Sequence, residues 1–379
     1  MGGVFPFSPG PWERAGIETE LRRGTLAGSS PDAPGADRCL IADRGSPEVP
    51  VISAPHELLE SDIYIDLRPV FGRDLYLKCE GFNFGGSVKM RAAVGMVRAA
   101  EREGRVGPDT VLVESSSGNL GIALSVVAAS KGLRFICVTD ARCNEVTVNT
   151  MRVLGAEVVV VQEPLADGGL LGARLEVVRR LCAEDPRRLW LNQYANEANW
   201  GAHYDLTAPE IAKRFPDLDV LFLGVGTGGT AMGCVRYFND LSSPTRVVAI
   251  DAAGSVTFGR PPRVRHIPGL GSGVRPPLVR PELVDDVVHV EEVDTIRACR
   301  TMSARGFLLG GSTGTVLSGA LAWLERHDPD RRLKSVAISP DLGERYIDTI
   351  YNDAWVLDRF GESALRPLPL HPPPAAGLG

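Results

Sequence analysis

Apolar and polar positions along this chain change period again and again between residues 75 and 338. Continuous apolar runs rich in β-branched residues stand at 111–113, 135–138, 158–161, 220–223, 247–250 and 336–338. A further stretch, 75–79, alternates apolar and polar side chains in the manner of a short strand. Between these runs lie helical stretches at 91–103, 120–131, 145–154, 170–184, 205–215, 231–239, 293–305 and 315–327. Strands without a polar face, interleaved with amphipathic helices, predict an α/β fold whose parallel sheets are covered on both faces. The number of strands suits two doubly wound lobes, and no repeat of fixed period runs through them.

The ends read differently. Residues 1–50 carry little periodic apolar signal, and 24–37 is crowded with Gly, Ser, Pro and Ala, which predicts a flexible N-terminal arm. Prolines from Pro367 onward, including Pro372, Pro373 and Pro374, predict a C-terminal tail over 361–379. With 379 residues, 44% hydrophobic and 23% charged, the chain has ample material for two cores. A net charge of −6 without a long basic run leaves no electrostatic footprint for a nucleic-acid partner. No apolar run approaches the roughly 20 residues of a membrane helix, and the first residues lack the charged-then-apolar order of a secretory signal. Seven scattered cysteines without a C-x-x-C pair point to a reducing cytoplasm, with neither a disulfide frame nor a structural metal.

Four glycine-rich turns stand where strands give way to helices. Residues 81–93 read Gly-Phe-Asn-Phe-Gly-Gly-Ser-Val-Lys-Met-Arg-Ala-Ala, which places Lys89 at a strand-to-helix joint. Outward N–H groups and the helix dipole favour anions there and ease loss of the ammonium proton, as a Schiff-base lysine requires. Residues 114–121, Glu-Ser-Ser-Ser-Gly-Asn-Leu-Gly, form a nest for a carboxylate through Ser116, Ser117 and Gly118, with the amide of Asn119 beside it. Residues 224–230, Gly-Val-Gly-Thr-Gly-Gly-Thr, make a phosphate cradle at a helix start. That loop also fits the dinucleotide spacing through Gly224, Gly226 and Gly229, with Asp251 where a ribose-binding acid would stand. Residues 309–315, Leu-Gly-Gly-Ser-Thr-Gly-Thr, offer Ser312 to a heteroaromatic nitrogen, while Thr313 or Thr315 caps the helix. Each loop alone also has a plain reading, as a solvated lysine near a helix start, an N-cap or a structural glycine turn. Together, one lysine, one phosphate cradle and one carboxylate nest meet the needs of pyridoxal 5′-phosphate, and a dinucleotide would leave Lys89 and the nest unexplained.

From about residue 51 to 360 these motifs, taken in order, resemble the fold-type II pyridoxal phosphate enzymes, the cysteine synthase and cystathionine β-synthase family. Three further stretches, 163–169, 192–204 and 250–259, with Pro340-Asp-Leu-Gly-Glu-Arg-Tyr346, resemble a narrower branch, the N-(2-amino-2-carboxyethyl)-L-glutamate synthases. The resemblance implies a tryptophan synthase β-like fold with the cofactor between two lobes. A larger lobe, 51–79 plus 196–360, would hold the cofactor phosphate; a smaller mobile lobe, 80–195, would carry Lys89 and Asn119. It implies that Lys89 holds the cofactor and moves the α-proton, and that Asn119 meets the ring oxygen. Gly226, Thr227, Gly228, Gly229 and Thr230 would hold the phosphate, and Ser312 would face the pyridine nitrogen. Ser116, Ser117, Gly118, Asn119 and Gln193 would hold the substrate carboxylate.

The chain departs from the family pattern in three places: Leu67-Arg-Pro-Val stands near the usual Thr-Pro pair, Phe84 replaces a proline, and Met90 replaces an acid. None removes a catalytic group. The expected activity is replacement of the β-substituent of an activated serine, O-phospho-L-serine plus L-glutamate giving N-(2-amino-2-carboxyethyl)-L-glutamate and phosphate. The product would feed 2,3-diaminopropionate for a siderophore or peptide antibiotic. A phosphorylated donor calls for a cation, and Arg275 or Arg142 is the candidate. The alternatives are a cysteine synthase, a catalytically silent regulatory homologue and a dinucleotide-binding module. The partners expected are small amino acids and, by family, a second copy in a homodimer.

Overall fold

A computed structural model describes residues 51–370 apart from 60, 61 and 167, so the expected N-terminal arm lies outside the described residues. The described elements fall in a compact unit that begins at Ile52. In chain order these are β1 (Tyr64–Asp66), α1 (Arg68–Phe71), β2 (Leu75–Cys79), α2 (Lys89–Arg102), β3 (Val111–Ser115) and α3 (Asn119–Lys131). There follow β4 (Arg134–Asp140), α4 (Glu145–Val153), β5 (Glu157–Val161), α5 (Gly169–Glu184), β6 (Arg188–Trp190), α6 (Glu197–Ala202), a π turn at His203–Thr207 and α7 (Ala208–Arg214). The chain continues through β7 (Val220–Gly224), α8 (Gly229–Asp240), β8 (Arg246–Ala252), β9 (Asp286–Val290), α9 (Glu292–Ser303), α10 (Gly311–His327), β10 (Ser335–Ser339) and α11 (Asp353–Phe360).

The strands form two sheets, ordered β1-β2-β10-β7-β8-β9 and β5-β4-β3-β6. Every pairing is parallel except that of β1 with β2. The inner strands β3 and β10 are buried at every position, as expected of strands covered on both faces. In the four-stranded sheet the chain runs outward from β3 to β5 and returns to β6 on the other side of β3. In the six-stranded sheet it runs outward from β7 to β9 and returns to β10 on the other side of β7. Each reversal opens a crevice at the carboxyl ends of the strands, the place where such sheets take ligands. Ser115 ends β3 and Gly224 ends β7, so the serine nest and the glycine cradle each begin at a reversal.

The region read as one helix over 205–215 is a π turn followed by α7. Pro209 sits in the first turn of α7; it has no N–H to offer Asp205, and its ring crowds that carbonyl, so the turn before it widens. The strands β1, β6 and β9 are edge strands of three to five residues, too short or too polar for their pattern to stand out. Residues 361–370, part of the stretch read as a tail, lie against α9. The Leu368 N–H donates to Thr301 Oγ1 at 2.9 Å, and Ala364 is fully buried.

Charge enters the core in a four-member cluster that joins β2, α2 and α7. Lys78 Nζ lies 3.0 Å from Glu80 and 2.9 Å from Glu210. Arg91 reaches the same two carboxylates, its Nε at 2.8 Å from Glu80 and its Nη2 at 2.7 Å from Glu210. This cluster fastens the first turn of the helix that begins with Lys89.

Candidate active site

The loop before Lys89 is built around Asn83. Its Nδ2 donates to the carbonyls of Glu80 and Ser87, both at 3.0 Å, and its Oδ1 accepts from Gly85 N at 3.0 Å. An asparagine that bonds its own loop's backbone replaces the ladder a strand would supply. Gly86, at φ +63°, completes the turn. The loop is tied to the end of β10 by Glu80 N donating to Ser339 O at 2.9 Å and Val88 N donating to Pro340 O at 2.7 Å. Lys89 is therefore delivered as the first residue of α2, at the mouth of the six-stranded sheet's crevice. Burial pushes its ammonium pKa below the ordinary lysine value, against the opposing pull of Asp341.

Ser116 Oγ accepts from Gly121 N at 2.9 Å and Gly118 N at 3.3 Å, so this hydroxyl is engaged in holding the nest's shape. Gln193 braces the nest from behind, its Nε2 donating to Ser115 O at 2.7 Å and its own N–H donating to Glu114 Oε2 at 3.0 Å. The Glu114 carboxyl is buried, which pushes its pKa up to about 7 although the Gln193, Ser115 and Trp190 N–H groups all donate to it. Asn119, the first residue of α3, donates from Nδ2 to Asp341 Oδ2 at 2.9 Å.

The glycine cradle leaves β7 at Gly224, passes Gly228 at φ +97° and opens α8 at Gly229. A Cβ at Gly229 would stand 2.0 Å from Asn199 Oδ1, which leaves the backbone there no side-chain cover. Asn199 Nδ2 bonds Gln193 O at 2.7 Å and Thr227 Oγ1 at 3.3 Å, joining nest to cradle. His203 underlies Thr230, its Nε2 3.2 Å from Thr230 Oγ1 and its Nδ1 2.9 Å from Thr207 Oγ1. Burial, with Lys89 and Arg91 nearby, drives the His203 pKa well down and keeps the imidazole neutral.

Ser312 is nearly buried in the first turn of α10, and a Cβ on Gly269 would stand 2.2 Å from its Oγ. Neither threonine expected as a cap serves as one. Gly310 is the N-cap and α10 starts at Gly311, so Thr313 and Thr315 fall inside the helix. Thr313 bonds Ser339 Oγ at 2.9 Å, and Thr315 bonds Thr295 Oγ1 at 2.8 Å. Asp251 is fully buried and accepts from Ala252 N at 2.9 Å, so it turns inward and away from any ribose. Arg275 and Arg142 are both exposed.

Lys89, Asn119 and the start of α10 come together around Asp341, and the cradle joins them through His203. Asp341, Arg345, Asn83 and the bracing roles of Asn199 and His203 did not emerge from the motifs alone. The available signal was position: Pro340 and Asp341 directly follow the last strand, at the carboxyl end where a crevice opens. The group fits pyridoxal phosphate. The cradle has no room for a side chain at 229, and a buried carboxylate oxygen, Asp341 Oδ1, has no partner among the described residues beside a lysine shifted toward its neutral form.

Two crevices, a lysine at a helix start and a glycine-rich cradle define a cofactor-dependent enzyme of the doubly wound class. The family described as pyridoxal-phosphate dependent enzyme matches residues 64–341, and the chain belongs to it. Pyridoxal phosphate is its cofactor. An N-(2-amino-2-carboxyethyl)-L-glutamate synthase of Cupriavidus metallidurans is 40% identical over 298 residues, 77% of this chain and 87% of that protein. Among solved structures, a hydrogen sulfide-producing enzyme from Fusobacterium nucleatum is similar with a TM-score of 0.74 and 30% identity, over 79% of this chain and all of that one. An O-acetylserine dependent cystathionine β-synthase from Helicobacter pylori is similar with a TM-score of 0.73 and 26% identity, over 80% of this chain and 100% of that one. Among the described residues no helix is long and apolar enough to cross a membrane.

Proposed function

We propose that this chain makes N-(2-amino-2-carboxyethyl)-L-glutamate from O-phospho-L-serine and L-glutamate, with release of phosphate. The observation that carries the reading is the 40% identity to a synthase of that name across most of both chains. Bound cofactor supplies the electron withdrawal that makes the serine α-proton acidic. Lys89 Nζ takes that proton; the Cβ–O bond to phosphate breaks, and phosphate leaves with the electron pair. The glutamate nitrogen then bonds Cβ, loses a proton, and Lys89 returns one to Cα. Burial of Lys89 favours the neutral amine this exchange needs. Gly226, Thr227, Gly228, Gly229 and Thr230 hold the cofactor phosphate. Ser117, Gly118 and Asn119 receive the substrate carboxylate, on a nest shaped by Ser116 and braced by Gln193. Arg275 or Arg142, both exposed, is proposed to meet the donor phosphate.

Ser312 is proposed to face the ring nitrogen. A hydroxyl does not keep that nitrogen protonated, which leaves a moderate electron sink suited to expelling a good leaving group. Ser312→Asp is expected to protonate the ring and slow turnover by about tenfold or more. A rate equal to the parent's, with cofactor bound, would remove Ser312 from that role.

Substrate and acceptor are tested together by the visible spectrum of the purified protein. O-phosphoserine is expected to shift the band persistently, and glutamate alone to restore it, with the new amino acid detected by mass. If O-acetylserine drives the shift and sulfide reverses it, the chain is a cysteine synthase. The lobe carrying Lys89, 80–195, is proposed to close on the larger lobe, 51–79 plus 196–360, which small-angle scattering with and without O-phosphoserine would reveal. A homodimer in the cytoplasm completes the reading; a monomeric mass by light scattering would count against the dimer.

A further inference from the structure

The side-chain amide of Asn119 is held at both ends. Its Nδ2 donates to Asp341 Oδ2 at 2.9 Å, and its Oδ1 accepts from the Arg345 guanidinium. Arg345 also donates from Nη2 to Gly85 O at 2.9 Å, inside the loop that delivers Lys89, while Asn144 Nδ2 donates to Arg345 O at 3.4 Å. Asp341 Oδ2 takes a second hydrogen bond, from the Tyr346 hydroxyl at 2.7 Å. Its Oδ1 has no partner among the described residues, and a Cβ on Gly310 would stand 2.1 Å from that oxygen. The carboxylate is thus 1% exposed and fixed, with one oxygen committed and the other open.

The two ends of an asparagine amide have nearly the same shape but opposite hydrogen-bonding character. An ionised carboxylate only accepts and a guanidinium only donates, so with one at each end a single orientation satisfies both. Turning the amide over would press its NH2 on the guanidinium and its oxygen on the carboxylate. We infer that Asp341 and Arg345 are positioning residues that lock the Asn119 amide with its N–H edge toward the cofactor oxygen and tie that amide to the Lys89 loop. The inference rests on the reading that Asn119 meets the cofactor. One N–H of Nδ2 is spent on Asp341, and the other is left for the ring oxygen. Because Arg345 spans Asn119 and Gly85, it also couples the nest to the lysine's loop.

The groups that face Asp341 are Lys89 at the start of α2, Arg345 and Tyr346 beyond β10, Cys299 on α9 and Tyr351. The negative charge of Asp341 favours the charged form of Lys89. Burial raises the Asp341 pKa, and the hydrogen bonds from Tyr346 and Asn119, with the charges of Arg345 and Lys89, oppose that rise and favour its charged form. A neutral side chain at 341 therefore lowers the proton affinity of the lysine nitrogen, whether free or joined to the cofactor.

The test is a pH titration of the visible band of the cofactor-loaded protein from about pH 6 to about pH 10, with cofactor affinity measured by fluorescence. Asp341→Asn is expected to move the band's midpoint down by about one pH unit. Arg345→Lys keeps the charge but loses the fork, and is expected to weaken cofactor binding about tenfold. Asp341→Ser, smaller and also neutral, serves if the asparagine variant does not fold. A purely structural role would change neither the midpoint nor the affinity of folded variants, and that result overturns the inference. A parent protein that never acquires the band removes the functional reading itself; a coloured parent with unaltered variants removes only the inference.

Discussion

Replacing Lys89 by alanine is expected to abolish turnover and the visible absorption of lysine-bound cofactor, while leaving the protein folded. Alanine is the best helix former, and Lys89 sits at the first position of α2. Its backbone N–H donates there to Ser87 Oγ at 3.4 Å and not within the helix, so the substitution leaves that bond in place. The far-ultraviolet dichroism should match the parent's. The amine is irreplaceable because its position combines three things no neighbour offers: a helix start, burial that lowers its pKa, and Asp341 within electrostatic reach. Loss of an acid–base group of this kind costs about 100- to 10,000-fold, and loss of the cofactor attachment adds to that. Both readouts matter. A variant that binds no cofactor yet turns over near the parent rate would sink the central assignment. One that keeps the band would show that another amine holds the cofactor.

Much of the frame was legible in the chain because its inner strands are buried on both faces. Such strands read as unbroken apolar runs, and 220–223 and 336–338 mark the cores of β7 and β10. Helix starts were legible where glycine or serine clusters precede apolar periodicity, as at Asn119 and Gly229. The edge strand β5 was legible as the run 158–161, but β1, β6 and β9 escaped, since a three-residue segment such as Arg188–Trp190 has no period to detect. The second layer of the site escaped for a different reason. Asp341 lies 222 positions from Asn119, and their contact follows from the return of β10 beside β2 and β7, which no local pattern states. His203 and Asn199 lay in a stretch singled out by resemblance, but their duty toward Thr230 and Thr227 depends on α6 packing beneath the cradle.

The second large effect concerns stability. Arg91→Met should lower the urea midpoint sharply, by the equivalent of about 3–5 kcal/mol, because it breaks a buried ion cluster on one side only. Two cations there meet two carboxylates; without Arg91, Lys78 alone must answer both Glu80 and Glu210. The Glu80 side chain is 1% exposed, so water cannot replace the lost donors. Unfolding must be followed at a fixed cofactor concentration, since binding to the folded state alone shifts the apparent stability. Replacing all four members by apolar residues of similar size removes the unpaired charge and should recover most of the loss. The comparison separates two roles. If the apolar cluster restores the midpoint but not the rate, the charges serve chiefly to place α2, and with it Lys89, at the crevice. If Arg91→Met leaves the midpoint where it was, the cluster holds no more than an exposed surface pair such as Arg68 with Asp66, and burial is not what gives it strength.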